Sequence, residues 1–148
     1  MTDQSGAASL TNILLIEDDA TDAELLRQAF IETHFPNELK VVTTGEAALD
    51  LLYRRPPYEQ VERPDMIMLD LGLPGMSGSQ VLERIKSDES LADIPVIILS
   101  GSGNQADIQT AYRNHANSYV VKPASFKMLV KVVRNIQEFW FQIVKLPK

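Results

Sequence analysis

The sequence predicts a three-layer α/β sandwich built on a parallel sheet. Short runs of branched apolar residues recur at wide spacing, and apolar patterns of helical period lie between them. Strict alternation of strand and helix calls for parallel pairing, because parallel neighbours need a crossover and the crossover helices then cover both sheet faces. The 148 residues, 45% apolar against 23% charged, hold enough material for one buried core.

Met1 to Thr11 is small and polar with an acidic Asp3, and reads as a flexible tail over residues 1–11; a secretory leader would show basic residues and then an apolar run. Ile13 to Ile16 is the first strand. Leu26, Ala29, Phe30 and Thr33 mark the first helix, Leu39 to Thr43 a weaker second strand, and Ala47, Ala48, Leu51 and Leu52 the second helix. The stretch from Arg54 to Pro64 is charged and broken by Pro56, Pro57 and Pro64, which predicts an exposed, semi-rigid loop. Met66 to Leu69 follows as the most apolar strand, then a helix carrying Val81, Leu82 and Ile85. Val96 to Leu99 is the fourth strand, Ile108, Ala111 and Tyr112 lie on the next helix, and Ser118 to Val121 is the fifth strand. A last helix runs from about Ser125 to Ile143. The domain thus occupies residues 12–137, with an aromatic carboxyl-terminal extension of the last helix over 138–148.

Fourteen basic and twenty acidic residues leave a net charge of −6, so nucleic acid and anionic membranes are repelled rather than bound. No apolar stretch approaches the roughly 18 residues that span a bilayer, and a soluble protein is expected. The absence of cysteine excludes disulfides, thiolate nucleophiles and Cys-ligated zinc, and fits a cytoplasmic location.

In such a fold the functional residues gather in the loops at the carboxyl ends of the strands. Here those ends carry Glu17-Asp18-Asp19, Asp70, Ser100-Gly101 and Lys122-Pro123. Carboxylates crowded at one rim raise one another's pKa unless a cation sits among them, so a divalent ion is implied. Oxygen-only donors favour a hard ion, and Mg²⁺ suits a site that a phosphate and waters complete. Asp70 is then the best-presented nucleophile, able to form an acyl phosphate. Asp18, with Glu17 beside it and the carbonyl of Gly72, would hold the metal. Lys122 supplies fixed positive charge to pair with Asp70 and later with the phosphoryl group. Ser100 offers a hydroxyl to the new oxygens, and Gly101 leaves its backbone N–H approachable. Pro123 holds Lys122 extended, and a cis bond between them is expected to be accessible.

Taken singly, these residues have ordinary readings. A strand-terminal Asp is commonly a helix N-cap, the role assigned to Asp19, and a lone lysine or serine is commonly a solvated or backbone-bonded side chain. Their joint occurrence at successive strand ends carries the argument.

The runs Ile-Leu-Leu-Ile-Glu17-Asp18-Asp19, Asp65-Met-Ile-Met-Leu-Asp70-Leu-Gly-Leu-Pro74-Gly75-Met-Ser-Gly78, Pro95-Val-Ile-Ile-Leu-Ser100-Gly101 and Tyr119-Val-Val-Lys122-Pro123 resemble the receiver domains of bacterial response regulators over residues 12–137. The resemblance implies a flavodoxin-like sheet of five parallel strands in the order 2-1-3-4-5 with five helices. It also implies Mg²⁺ at Glu17, Asp18, Asp70 and the Gly72 carbonyl, phosphorylation of Asp70 by a partner histidine kinase, and concerted movement of Ser100 and the Tyr119 ring. Two positions depart from the common pattern: Glu17 replaces one of two aspartates and is expected to act through water, and Gly72 offers no side chain beside the phosphoacceptor. Within the family, the Pro-rich loop and the ending Phe139-Trp140-Phe141-Gln-Ile143-Val-Lys-Leu146-Pro147 resemble small stand-alone regulators that partner bacterial phytochromes.

At 100° per residue, Phe126, Leu129, Val130, Val133, Ile136, Trp140 and Ile143 form a stripe assigned to the sheet. Met128, Val132 and Phe139 form a second stripe and Phe141 flanks the first, so the apolar arc spans roughly 220° where about 100° suffices for core packing. The excess points to a homodimer through this helix, with Met128, Val132, Phe139, Trp140 and Phe141 at the interface; the alternative is that the tail folds back over its own domain. Other classes fit less well. An aspartyl-phosphate hydrolase would need a second Asp where Gly72 stands, and a flavin-binding domain would need a phosphate loop where Glu17-Asp18-Asp19 stands. A phosphorylation-independent interaction module and a phosphorelay intermediate remain as alternatives.

Overall fold

The computed structural model describes residues 10–143, the last three by their backbone course alone. Five parallel strands form one sheet in the order β2-β1-β3-β4-β5: β1 (Thr11–Ile16), β2 (Asn37–Val42), β3 (Met66–Leu69), β4 (Val96–Ser100) and β5 (Ser118–Val121). The helices are α1 (Ala20–Glu32), α2 (Gly45–Leu52), α3 (Gly78–Ser87), α4 (Gln105–Arg113) and α5 (Phe126–Gln137). The predicted order, strand number and helix number are those observed. β1 takes in Thr11, assigned above to the tail; residues 1–9 of that tail lie outside the described residues.

Side chains alternate across the strands and so divide the core in two. Leu14, Ile16, Ile67, Leu69 and Ile98 face a core completed by Leu49 of α2, Val81, Leu82 and Ile85 of α3, and Ala111 of α4. Ile13, Leu15, Met66, Met68 and Ile97 face the opposite core, with Leu26, Ala29 and Phe30 of α1 and Leu129, Val130, Val133 and Ile136 of α5. β1, β3 and β4 therefore show unbroken apolar runs because both faces are covered.

Each helix starts where a polar side chain accepts a backbone N–H: Asp19, Thr44, Ser77, Asn104 and Ser125. At α3 the bond is reciprocal, Ser77 and Gln80 forming a capping box. No helix of the described residues is long and apolar enough to cross a membrane.

Three local expectations are refined. The loop over residues 54–64 is exposed along most of its length, but Tyr58 and Val61 pack against the core and Pro64 is buried. Arg63 ties the loop down by donating to the Ser90 carbonyl and the Asp93 carboxylate, each at 2.6 Å. A cis peptide bond occurs at Pro56-Pro57, and the one between Lys122 and Pro123 is not cis. The last helix is not uniform, since α5 ends at Gln137 and a π-helix follows over Glu138–Ile143. The wider π turn makes a 100° wheel unreliable beyond Gln137.

Candidate functional site

Sheet register brings the acidic residues together. Ile16 of β1 pairs with Leu69 of β3, so the next residues, Glu17 and Asp70, emerge side by side at the carboxyl rim. The ladder runs on through them: the Glu17 N–H donates to Val42 and the Asp70 N–H to Ile16, both at 3.0 Å. Glu17 and Asp70 are buried, at 3% and 8% exposure, while Asp18 is exposed. One carboxylate oxygen from each of the three lies within 4.8 Å of the others. Burial, reinforced by the charge of Asp70, raises the pKa of Glu17 against the opposing hydrogen bonds from Lys122 and the Asp19 amide.

Lys122 reaches this cluster from the end of β5, its N–H donating to the Ser100 carbonyl at 2.7 Å. Its ammonium lies 2.7 Å from Glu17 Oε1, 2.8 Å from Asp22 Oδ2 and 3.8 Å from Asp70 Oδ2. Burial alone would lower its pKa, but hydrogen bonds to Asp22 and Glu17 and the charges of Glu17 and Asp70 outweigh it and raise the value well above that of an ordinary lysine. The expected approach of Lys122 to Asp70 is present, yet it is the longest of the three. Sequence reasoning missed Asp22. Its signal was its place in the first turn of α1, three residues after the cap Asp19, where an acid has a ready explanation in the helix dipole.

Around Asp70 the backbone comes close. The Gly72 N–H donates to Asp70 Oδ1 at 3.3 Å, and a Cβ at Gly72 would lie 3.9 Å from Asp70 Oδ2, so a side chain there would cover the carboxylate. Ser100 is buried at the end of β4, and its Oγ accepts the Ser102 N–H at 3.2 Å. Space beside Gly101 is open: a Cβ there would meet nothing within 4 Å. The half-buried Tyr119 donates its hydroxyl to the Ser102 carbonyl at 2.8 Å, and its own N–H donates to the Tyr112 hydroxyl at 3.0 Å. Ser100, Ser102, Tyr119 and Tyr112 thus form a chain of hydrogen bonds from the rim to the outer surface of α4.

This donor set fits a hard divalent cation. Three carboxylates gather at one place, two of them buried, and among the described residues one ammonium, that of Lys122, compensates only part of their charge. Pro123 follows Lys122 on the same rim and lies with Leu99 and Leu129 beside Glu17 and Asp22.

On the last helix the candidate interface residues separate. Val132 and Trp140 lie partly buried against the core of their own domain, whereas Met128 and Phe139 are 48% and 50% exposed. Phe139 meets Trp140 edge to face at 5.4 Å. The Phe141 side chain, Leu146 and Pro147 lie outside the described residues. Phe126, assigned to the sheet, is 40% exposed. It is the first residue of α5.

Residues 13–134 match the family model of the response regulator receiver domain. The response regulator Rcp1 of Synechocystis sp. is 37% identical over 147 residues, spanning 99% of both chains. Among solved structures, the phosphorylated cyanobacterial phytochrome response regulator RcpA matches with a TM-score of 0.89 at 38% identity, over 95% of this chain and 100% of that one. The Mn²⁺-bound form of Rcp1 matches with a TM-score of 0.85 at 37% identity, over 93% of this chain and 99% of that one.

Proposed function

The chain belongs to the response regulator receiver domain family and is close to the phytochrome response regulators Rcp1 and RcpA, and from that premise we propose that it is a signalling switch thrown by phosphorylation of Asp70. The observation that carries the reading is the placement of Asp70, buried at the strand rim with Glu17, Asp18 and Lys122 around its carboxylate. The donor is a histidine kinase, and similarity to RcpA and Rcp1 favours one coupled to a phytochrome.

An Asp70 carboxylate oxygen bonds to phosphorus while the bond from phosphorus to the donor's imidazole nitrogen breaks, and a proton neutralises the departing imidazole. Glu17, Asp18, Asp70 and the Gly72 carbonyl would hold Mg²⁺, which supplies neutralising charge to the phosphoryl oxygens. Lys122 supports the transferred group by its positive charge. Ser100 hydrogen-bonds a product oxygen, and the N–H of Gly101 is approachable beside it. The phosphoryl group adds negative charge at the rim, which draws the loop after β4 inward and disturbs the bond between Tyr119 and the Ser102 carbonyl. That shift alters the surface of α4, β5 and α5. The protein transforms no separate substrate and acts in the cytoplasm, in keeping with the lack of cysteine.

Output through a second copy is the companion reading, favoured by the half-exposed Met128 and Phe139 on the last helix. Polar replacement of Phe139 is expected to lower the solution mass, and a monomer before and after would reject it.

The test of the main reading is incubation with a small phosphodonor and Mg²⁺, followed by intact mass. Wild type is expected to gain one phosphoryl group and Asp70→Asn none. An unmodified wild type would favour a phosphorylation-independent interaction module, and transfer of the group from Asp70 to a histidine protein would favour a relay intermediate.

A further inference from the structure

Lys122 makes its two short contacts to carboxylates other than Asp70. These two partners differ in kind. The Glu17 side chain is 3% exposed, so water cannot replace the ammonium there, whereas the Asp22 side chain is 39% exposed and can be solvated if released. The carboxylate of Asp22 has Lys122 as its hydrogen-bond partner, and its N–H is already satisfied by the cap Asp19.

We propose that Asp22 is a positioning residue that shares the Lys122 ammonium with Asp70 and thereby shortens the life of the phosphoryl group. The inference rests on the reading of Asp70 as phosphoacceptor.

Loss of the group by hydrolysis forms a bond from water oxygen to phosphorus and breaks the bond from phosphorus to the Asp70 oxygen. Inorganic phosphate leaves, the Asp70 carboxylate is restored, and the water proton passes to phosphate or solvent. Where the transition state is loose, charge moves from the phosphoryl oxygens onto the leaving carboxylate. An ammonium held on those oxygens therefore stabilises the phosphorylated ground state more than the transition state. Asp22 competes for that ammonium and adds a like charge at the same rim. Both effects favour release.

The full chain and its Asp22→Asn and Asp22→Glu variants are phosphorylated with acetyl phosphate and Mg²⁺, freed of donor, and followed by intact mass. Asp22→Asn is expected to lose the group about two- to fivefold more slowly, the range set by a partly exposed ion pair, and Asp22→Glu, which keeps the charge, to return the loss toward wild type. Titration with beryllofluoride, a phosphoryl mimic, gives a binding readout without turnover, in which Asp22→Asn is expected to bind more tightly by a similar factor. Unchanged or faster loss in Asp22→Asn with unchanged beryllofluoride affinity would overturn the proposal while leaving the phosphoacceptor reading intact. A wild type that takes up neither phosphoryl group nor mimic would overturn both.

Discussion

Gly78 presses against the backbone of Asp70: a Cβ at this position would come within 2.4 Å of the Asp70 carbonyl oxygen and 2.5 Å of the Leu71 Cα. The start of α3 therefore braces the loop that presents Asp70, and the Gly78 N–H donates to the Leu71 carbonyl at 3.2 Å. Backbone on both sides leaves no flexible side chain to yield. Gly78→Ala is expected to lower stability by about 1–3 kcal/mol, as overpacking does, and to slow phosphorylation by displacing Asp70. Urea unfolding and phosphodonor kinetics measure the two effects, and an unchanged unfolding midpoint would contradict the brace.

Asp18 is the exposed member of the carboxylate cluster. Removing one of three charged donors is expected to weaken Mg²⁺ binding by at least about tenfold, since ligand charge sets affinity at such sites. Calorimetric titration of Asp18→Asn with Mg²⁺ or Mn²⁺ checks this, and equal affinity in variant and wild type would remove Asp18 from the site.

The Tyr112 hydroxyl accepts the N–H of Tyr119 on β5, the edge strand of the sheet. Tyr112→Phe is expected to cost about 0.5–1.5 kcal/mol, the net worth of an ordinary hydrogen bond, and to speed exchange of the Tyr119 amide. Hydrogen exchange resolved at that amide is the measurement. Protection equal to wild type would mean that the bond does not close the edge in solution.

Tyr53 donates its hydroxyl to the Asp88 carboxylate, which also accepts from the Ser90 hydroxyl and backbone N–H. These bonds, that from Tyr53 first, hold Asp88 below its ordinary value of 3.8. The depressed folded-state value means that the folded chain binds fewer protons than the unfolded one near this pH. Stability from the group is therefore present above the ordinary value and is lost as pH falls through the folded-state value. Tyr53→Phe is expected to unfold at lower urea than wild type at neutral pH, with the gap narrowing below pH 3.8. A gap that is constant with pH would show that the loss comes from packing alone.

The elements and rim residues were legible because their signals are local. Apolar runs and helical periods mark segments a few residues long, and Asp19 announces a helix start by a side chain that bonds to backbone three residues on. Once strands and helices alternate, the parallel sheet and its functional rim follow, so Glu17, Asp18, Asp70, Ser100 and Lys122 could be named together.

Tertiary structure alone decided which of those groups touch. Asp22 and Lys122 stand 100 residues apart in the chain, and no periodicity links them; their contact depends on how α1 packs beside the end of β5. The brace of Gly78 on Asp70, the anchoring of Tyr58 and Val61 on the core, and the seat of Trp140 on its own domain depend likewise on placement of whole elements. Local sequence fixes what each segment prefers to be, but hydrogen bonds and close contacts form over a few ångströms. At that range the docking of one element against another determines the partner.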